Sequence, residues 1–293
     1  GWKMNGASEG ARWAMHWEEV AVFDANSSSL GVDEYELMKA AGGALAREVA
    51  KKSGEGGVLF LCGPGNNGGD GFVAACSNYL DGKTVSVLSS HESSKTEVSS
   101  RAREMAAKEL PIHVWPETPD GEWSLIVDCL LGAGGPAEGT ELRSPIREIT
   151  AWAASTGLPV ISCDIPTGLG GADSLKPVLT VTFHSPKLGM SESGCGEIVV
   201  SELPWPNEVR NCGAGDALRY PPMESEARKG DRGRLLVVGG GPYHGAPLLS
   251  GMAAARSGCD LVHVAMPARA SSRAKWPASL IPEDLADTEY LTS

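Results

Sequence analysis

The sequence is poor in aromatic residues, which fill 6% of its 293 positions, and poor in positive charge, with 25 Lys and Arg against 37 Asp and Glu. The formal net charge of −12 gives a surface that repels nucleic acid and anionic membranes. The mixed clusters at Arg101–Arg103 and Arg228–Arg234 are too short to form a basic patch and read as solvated faces. No apolar stretch approaches the length of a membrane span, and Gly1–Glu9 has no basic-then-apolar leader pattern. The chain does not begin with Met, so it reads as a fragment or a processed form. Its seven cysteines include no Cys-x-x-Cys pair, and their number is odd, so a reducing cytoplasm is expected rather than a disulfide framework. Cys62, Cys76, Cys129 and Cys163 sit in apolar runs and read as small buried hydrophobes. The six His are dispersed with no His-Glu-x-x-His, so zinc chemistry is not expected, and any ion would be a hard cation held by oxygens. Gly82-Lys83-Thr84 lacks the upstream glycine of a Walker loop. A Gly-x-Ser-x-Gly at Gly6–Gly10 lacks the strand and helix a nucleophile elbow needs.

What is present is an alternation of short apolar runs and amphipathic stretches. After a tail over residues 1–16, helical spacing begins near Trp17, and Leu37, Ala41, Leu45 and Val49 mark one face of a helix over Asp33–Lys52. Strands are predicted at Val58–Cys62, Val85–Leu88, Ile112–Trp115, Leu125–Leu130, Val160–Cys163, Val178–Phe183 and Glu197–Val200. Helices are predicted near Phe72–Leu80, Ser93–Leu110 and Arg143–Ser155. This order predicts a Rossmann-like, doubly wound α/β domain with a mostly parallel sheet over residues 17–203. The Pro-rich stretch 204–222 reads as a linker or an ordered crossing loop. The pattern then restarts with strand Arg234–Val238, helix Pro247–Arg256 and strand Leu261–Ala265. Roughly 70 residues is thin for an independent α/β domain, so residues 223–293 read as the start of a second one.

The strongest local signal is Gly63-Pro64-Gly65-Asn66-Asn67-Gly68-Gly69-Asp70-Gly71, between a strand and a helix. Glycines let the backbone approach a ligand closely, and the amides of the following helix start face outward, where they can bind phosphate. Gly63, Gly65 and Gly68 also fit the dinucleotide fingerprint, with Glu92 near the expected acidic offset, which would indicate an NAD(P)-dependent dehydrogenase. Two more strand ends carry an acid followed by a Gly turn: Asp128 before Gly132-Ala133-Gly134, and Asp164 before Thr167-Gly168. In open α/β sheets the ligand crevice lies at such ends. A non-enzymatic binding module on the same fold is the third reading.

Together Gly65–Gly71, Asp128–Gly134, Asp164–Gly168 and Thr182-Phe183-His184-Ser185-Pro186-Lys187-Leu188-Gly189 resemble the NAD(P)H-hydrate epimerases over residues 17–203. The resemblance implies an often homodimeric enzyme that interconverts the C6 epimers of hydrated NADH and NADPH, with a bound potassium ion. It implies ion ligands at Asn67, Asp128 and Thr167. It implies substrate contacts at Asn66, Asn67, Gly68, Gly69, Asp70, Gly132, Ala133, Gly134, Gly135, Pro136, Ala137, Glu138 and Asp164. Asp164 is the candidate acid/base group. Lys229–Arg234, Val237–Gly241 and Gly245–Pro247 resemble the start of the ADP-dependent NAD(P)H-hydrate dehydratase domain, whose nucleotide-binding and catalytic segments would lie beyond Ser293, so no dehydratase activity is expected. Three positions depart from the epimerase pattern: Lys39-Ala40 stands where Glu-Asn is usual, Ala133 where Thr is usual, and Thr167 where Ser is usual.

Overall fold

Apolar runs without a polar side become strands covered on both faces. Gly57–Cys62 (β1) is buried at every position, as are Val160–Cys163 (β5) and Leu179–Phe183 (β6). The computed structural model describes residues 14–16, 18–133, 141–220 and 225–285. The chain divides into two units, residues 1–220 and 221–293.

In the first unit, helices Glu18–Ser29 (α1) and Glu34–Lys52 (α2) precede β1. Asp33 caps α2 by accepting from the Tyr35 amide at 2.7 Å. Helix Asn66–Ala75 (α3) follows β1, then strand Val85–Ser89 (β2), helix Glu97–Ala106 (α4), strand Ile112–Val114 (β3) and strand Trp123–Cys129 (β4). Helix Ile146–Ser155 (α5) leads to β5 and β6; a short helix Glu192–Cys195 (α6) and strand Glu197–Ser201 (β7) follow. The sheet order is β3-β2-β1-β4-β5-β6-β7, with every pair parallel. The chain winds outward from β1 to β3, returns to β4 beside β1, and winds the other way. The fold is therefore the doubly wound Rossmann-like sheet expected, and its switch point lies between β1 and β4. The glycine-rich segment leaves one of these strands and Asp128 ends the other.

Two boundaries differ from expectation. Helix α3 begins at Asn66, so most of the glycine run is helix rather than loop, and it ends at Ala75, with Asn78–Leu80 forming a separate 3-10 turn. Glycine disfavours helix by about 1 kcal/mol per residue, but packing requires it here. A Cβ on Gly68 would collide with the Gly63 carbonyl, and one on Gly71 would press on Cys62 and Cys129. Helix α4 is shorter than the expected Ser93–Leu110, because Thr96 caps it by accepting from the Ser99 amide at 3.2 Å.

The Pro-rich stretch carries two 3-10 turns, Asn207–Arg210 and Ala214–Arg219, packed on α1. Buried Asn26 donates to the Val209 carbonyl at 3.1 Å and accepts from the Gly215 amide at 2.7 Å. Asp216 accepts from the Gly213 amide at 2.7 Å, so the Gly213-Ala214-Gly215-Asp216 run is a capped turn.

The second unit has strand Arg234–Val238 (β8), helix Gly245–Arg256 (α7), strand Leu261–Met266 (β9), helix Ala268–Ser271 (α8) and strand Ile281–Asp284 (β10). Its strands form a parallel sheet in the order β10-β9-β8 around Val262, Val264 and Met266. Edge strand β8 leaves Leu236 and Val238 exposed. Among the described residues, no helix is long and apolar enough to cross a membrane.

Candidate active site

The switch point opens into a cavity of about 540 Å³ bounded by α1, α2, the start of α3 and the turns after β4, β5 and β6. Asn66, Asn67, Asp70, Gly132, Ala133 and Asp164 all line it. Gly68 and Gly69 are buried in the first turns of α3, where Gly69 packs against Met38. Gly134, Gly135, Pro136, Ala137 and Glu138 lie outside the described residues, as does Gly6–Gly10.

The start of α3 is open toward a ligand. Gly65 is its N-cap and offers no side chain, and nothing lies within 4 Å of where its Cβ would be. The amides of Asn66, Asn67 and Gly68 have no acceptor within the helix. Asn66 is held on the rim by the Thr96 hydroxyl, 2.6 Å from its Oδ1. Lys95 also lines the cavity, and its amide is bonded to the Pro64 carbonyl at 2.7 Å.

Asp164 stands at the end of β5 with φ 63°. The Ile165 amide bonds back to the Cys163 carbonyl at 2.8 Å, which closes a γ-turn of the strained left-handed form around Asp164. The turn aims the carboxylate at the Ala133 amide, 3.1 Å from Oδ2, and at Lys187 Nζ, 2.5 Å from Oδ1. Lys187 is 2% exposed. Its three protons meet three acceptors, Asp164, the Thr182 hydroxyl at 2.8 Å and the Phe183 carbonyl at 3.0 Å. Met15 pairs with the backbone on both sides of Lys187, accepting from the Leu188 amide and donating to the Pro186 carbonyl.

Asp128 and Thr167 do not line the cavity and are joined to each other. The Asp128 carboxylate is fully buried and accepts from the Thr167 hydroxyl at 2.7 Å, the Thr167 amide at 2.9 Å, the Ser162 hydroxyl at 2.9 Å and the Leu130 amide at 3.2 Å. Burial raises its pKa against the lowering effect of these donors. Asn67 is different, because neither atom of its buried side-chain amide has a hydrogen-bond partner among the described residues. Its amide lies beside Gly132, where a Cβ would fall 3.0 Å from Oδ1.

Two further carboxyls enter from helices. Asp70 sits on α3, and burial, reinforced by Asp164 and Asp24, pushes its pKa well above the usual carboxylate range. Asp24 comes from α1 and is raised to about 7 by burial first, then by Asp164 and Glu34, with Lys187 acting in the opposite sense. Sequence reasoning did not find Asp24. It belongs to no motif, and only the packing of α1 brings it to the strand ends. Trp205 was missed for a similar reason, since it stands in the stretch read as linker or loop. Its indole stacks on His184, and both line the cavity. Burial, then Lys187 and Arg210, lower the His184 pKa to about 3, so the imidazole is neutral.

The departures from the epimerase pattern fall unevenly. Lys39 turns outward to Glu36 at 2.6 Å, with 45% of its side chain exposed, so it stands away from the cavity that its neighbour Met38 lines. Ala133 acts through its backbone amide, for which the side chain matters little.

A parallel doubly wound sheet whose glycine-rich helix start and buried Asp–Lys pair meet in one cavity at the switch point defines a Rossmann-like ligand-binding domain of the kind that hosts nucleotide chemistry. Residues 34–189, more than half of the chain, match the family described as YjeF-related protein N-terminus, and the chain belongs to that family. Residues 235–289 match the family described as NAD(P)H-hydrate dehydratase. The chain is 36% identical over 260 residues to a bifunctional NAD(P)H-hydrate repair enzyme Nnr from Archaeoglobus fulgidus, covering 85% of this chain and 54% of that protein. It is 36% identical over 288 residues to the protein of the same name from Hyperthermus butylicus, covering 91% of this chain and 53% of that one. The chain thus spans about half the length of the curated relatives it matches. The crystal structure of yeast ynu0 shares the fold, with a TM-score of 0.58 at 22% identity, covering 73% of this chain and 97% of that one.

Proposed function

We propose that the first unit interconverts the two C6 epimers of hydrated NADH and NADPH. The observation that carries this reading is the Asp164–Lys187 pair, set at the wall of a cavity whose other end is an uncapped helix start. The names of the bifunctional relatives point to the same substrate class.

C6 of the hydrate bears both a hydroxyl and the ring nitrogen, so acid–base help is enough to break and remake one bond at that carbon. Asp164 takes or returns the proton. Lys187 and the Ala133 amide fix the carboxylate, and the strained turn keeps it directed into the cavity. The substrate's phosphates lie at the amides of Asn66, Asn67 and Gly68, with Lys95 supplying positive charge on the rim. This cation matters because Glu18, Glu34 and Asp164 line the same cavity.

The donor set suits a potassium ion. Asn67, Asp128 and Thr167 offer an amide, a carboxylate and a hydroxyl oxygen, which are hard ligands. The Asn67 Oδ1, without a partner among the described residues, is the atom that an ion would explain. Among the described residues no group of three or more His, Cys, Asp or Glu gathers for a metal, so the ion rests on mixed oxygen donors. Asn67, Asp128 and Thr167 would hold the ion, which would supply positive charge to the site.

The test is to incubate the purified chain with the R epimer of hydrated NADH and follow the appearance of the S epimer. Faster equilibration than in buffer, without oxidation or reduction of any substrate, supports the reading. Reproducible hydride transfer with an unchanged epimer rate would instead make the chain a dehydrogenase.

A further inference from the structure

We infer that Asp24, on α1, is a second proton-carrying group of the cavity, working opposite Asp164 on the same substrate. This inference rests on the epimerase reading and extends it from one acid–base group to two.

Asp164 and Asp24 line one cavity but stand in opposite settings. The oxygens of Asp164 are engaged by an ammonium, a hydroxyl and an amide. That is the setting of a proton acceptor fixed in place. Asp24 is partly buried and has no hydrogen-bond or ion-pair donor among the described residues. A half-buried carboxyl without donors favours its neutral, proton-bearing form. A donor-bound carboxyl and a donor-free one in the same cavity suit the two ends of a proton transfer.

The charges around Asp24 point the same way. Glu18 lines the cavity from its own helix; Glu34 faces it from α2, Asp70 from α3 and Asp164 from the end of β5. Lys187 is the cation that opposes them, and it is already engaged by three acceptors. His184 is neutral, and Lys95 lies by the start of α3. The turns packed on α1 add Arg210, Asp216 and Arg219, the last paired with Glu19 and Asp216.

A two-group site closes the proton balance of epimerisation. As the C6–N1 bond breaks, Asp164 accepts the proton of the C6 hydroxyl, a carbonyl forms at C6, and Asp24 gives its proton to N1. Rotation about C5–C6 presents the other face. N1 then attacks C6 and returns its proton to Asp24, and Asp164 returns its proton to the oxygen.

The experiment compares epimer equilibration by the wild-type chain, Asp24→Asn, Asp24→Glu and Asp164→Asn across pH 5 to 9, with the infrared absorption of protonated carboxyls recorded for each. Asp24→Asn is expected to lower kcat by about 100-fold or more, with KM changed by no more than about threefold. The wild-type rate should fall as pH rises through about 7, where Asp24 loses its proton. Asp24→Asn should lose that limb and the matching infrared band, and Asp24→Glu should keep both while recovering part of the turnover. Wild-type turnover in Asp24→Asn, or an unchanged pH limb, would overturn this role while leaving the epimerase reading in place. A wild-type chain that does not equilibrate the epimers would overturn both.

Discussion

Asp164 and His184 share one backbone conformation, φ 63°, at the carboxyl ends of the neighbouring strands β5 and β6. Each is the centre of a γ-turn, closed by Ile165 onto Cys163 and by Ser185 onto Phe183. Among the described residues these are the only non-glycine positions with positive φ, and both line the cavity. Such conformations cost about 1–3 kcal/mol each and persist only where the surroundings over-determine them. At residue 164 the surroundings are Lys187 and the Ala133 amide, and at residue 184 they are Trp205.

The Asp164–Lys187 pair makes a prediction about stability. Removing one member of a buried pair costs about 3–5 kcal/mol, because the other charge stays behind uncompensated. Lys187→Met should therefore lower the stability of the first unit by that order. Lys187→Met combined with Asp164→Asn should recover much of the loss. Urea denaturation of the four proteins checks this, and additive losses would mean that the pair is not coupled.

Turnover should follow Asp164 more closely than stability does. Asp164→Asn keeps the size of the side chain and an acceptor for Lys187 but removes the basic carboxylate. A loss of about 100- to 10,000-fold in kcat is expected, with modest change in substrate affinity. If melting temperature falls while turnover per folded molecule stays at the wild-type level, Asp164 serves only to cap its turn.

The three proposed ion ligands should separate into two kinds. Asp128 holds Thr167, Ser162 and Leu130 together, so Asp128→Ala is expected to destabilise the fold with or without potassium, by about 1–3 kcal/mol for each donor left unpaired. The Asn67 side-chain amide has no partner among the described residues, so Asn67→Ala should cost little in sodium buffer. The wild-type melting temperature should rise when potassium replaces sodium, and that of Asn67→Ala should not. Equal potassium responses in the two proteins would remove Asn67 from the ion site.

His184 sets a sign for the pH dependence of stability. Its pKa is about 3 in the folded chain against an ordinary value of 6.5. Between those values the unfolded state binds the extra proton, so the His184 contribution is intact above about 6.5 and is lost as pH falls toward 3. Asp24 acts in the opposite sense, since its raised pKa of about 7 makes the folded state the proton binder and its contribution fades as pH rises. Chemical denaturation from pH 4 to 7 should therefore show a shallower rise with pH in His184→Asn than in the wild type, and a steeper one in Asp24→Asn.

Much of this arrangement was legible because its parts are short and local. The strand-end motifs carrying Asp128, Asp164 and Lys187 each follow an apolar run, and β5 lies where its apolar residues put it. The start of α3 was not legible, because helix propensity argues against a helix through Gly68, Gly69 and Gly71. The reason for those glycines, contact with Gly63, Met38 and Cys129, is tertiary. Asp24 and Trp205 were hidden for the same reason. Nothing next to them in sequence reveals which wall they complete.

Trp205 also bears on where the first unit can be cut. Amphipathic periodicity fades near Leu203, which makes that position look like a natural end. Yet Leu203 and Trp205 both line the cavity, and residues 207–219 cover Asn26 on the helix that carries Asp24. A domain excised at Leu203 would keep its whole sheet and still lose part of the wall around its cavity.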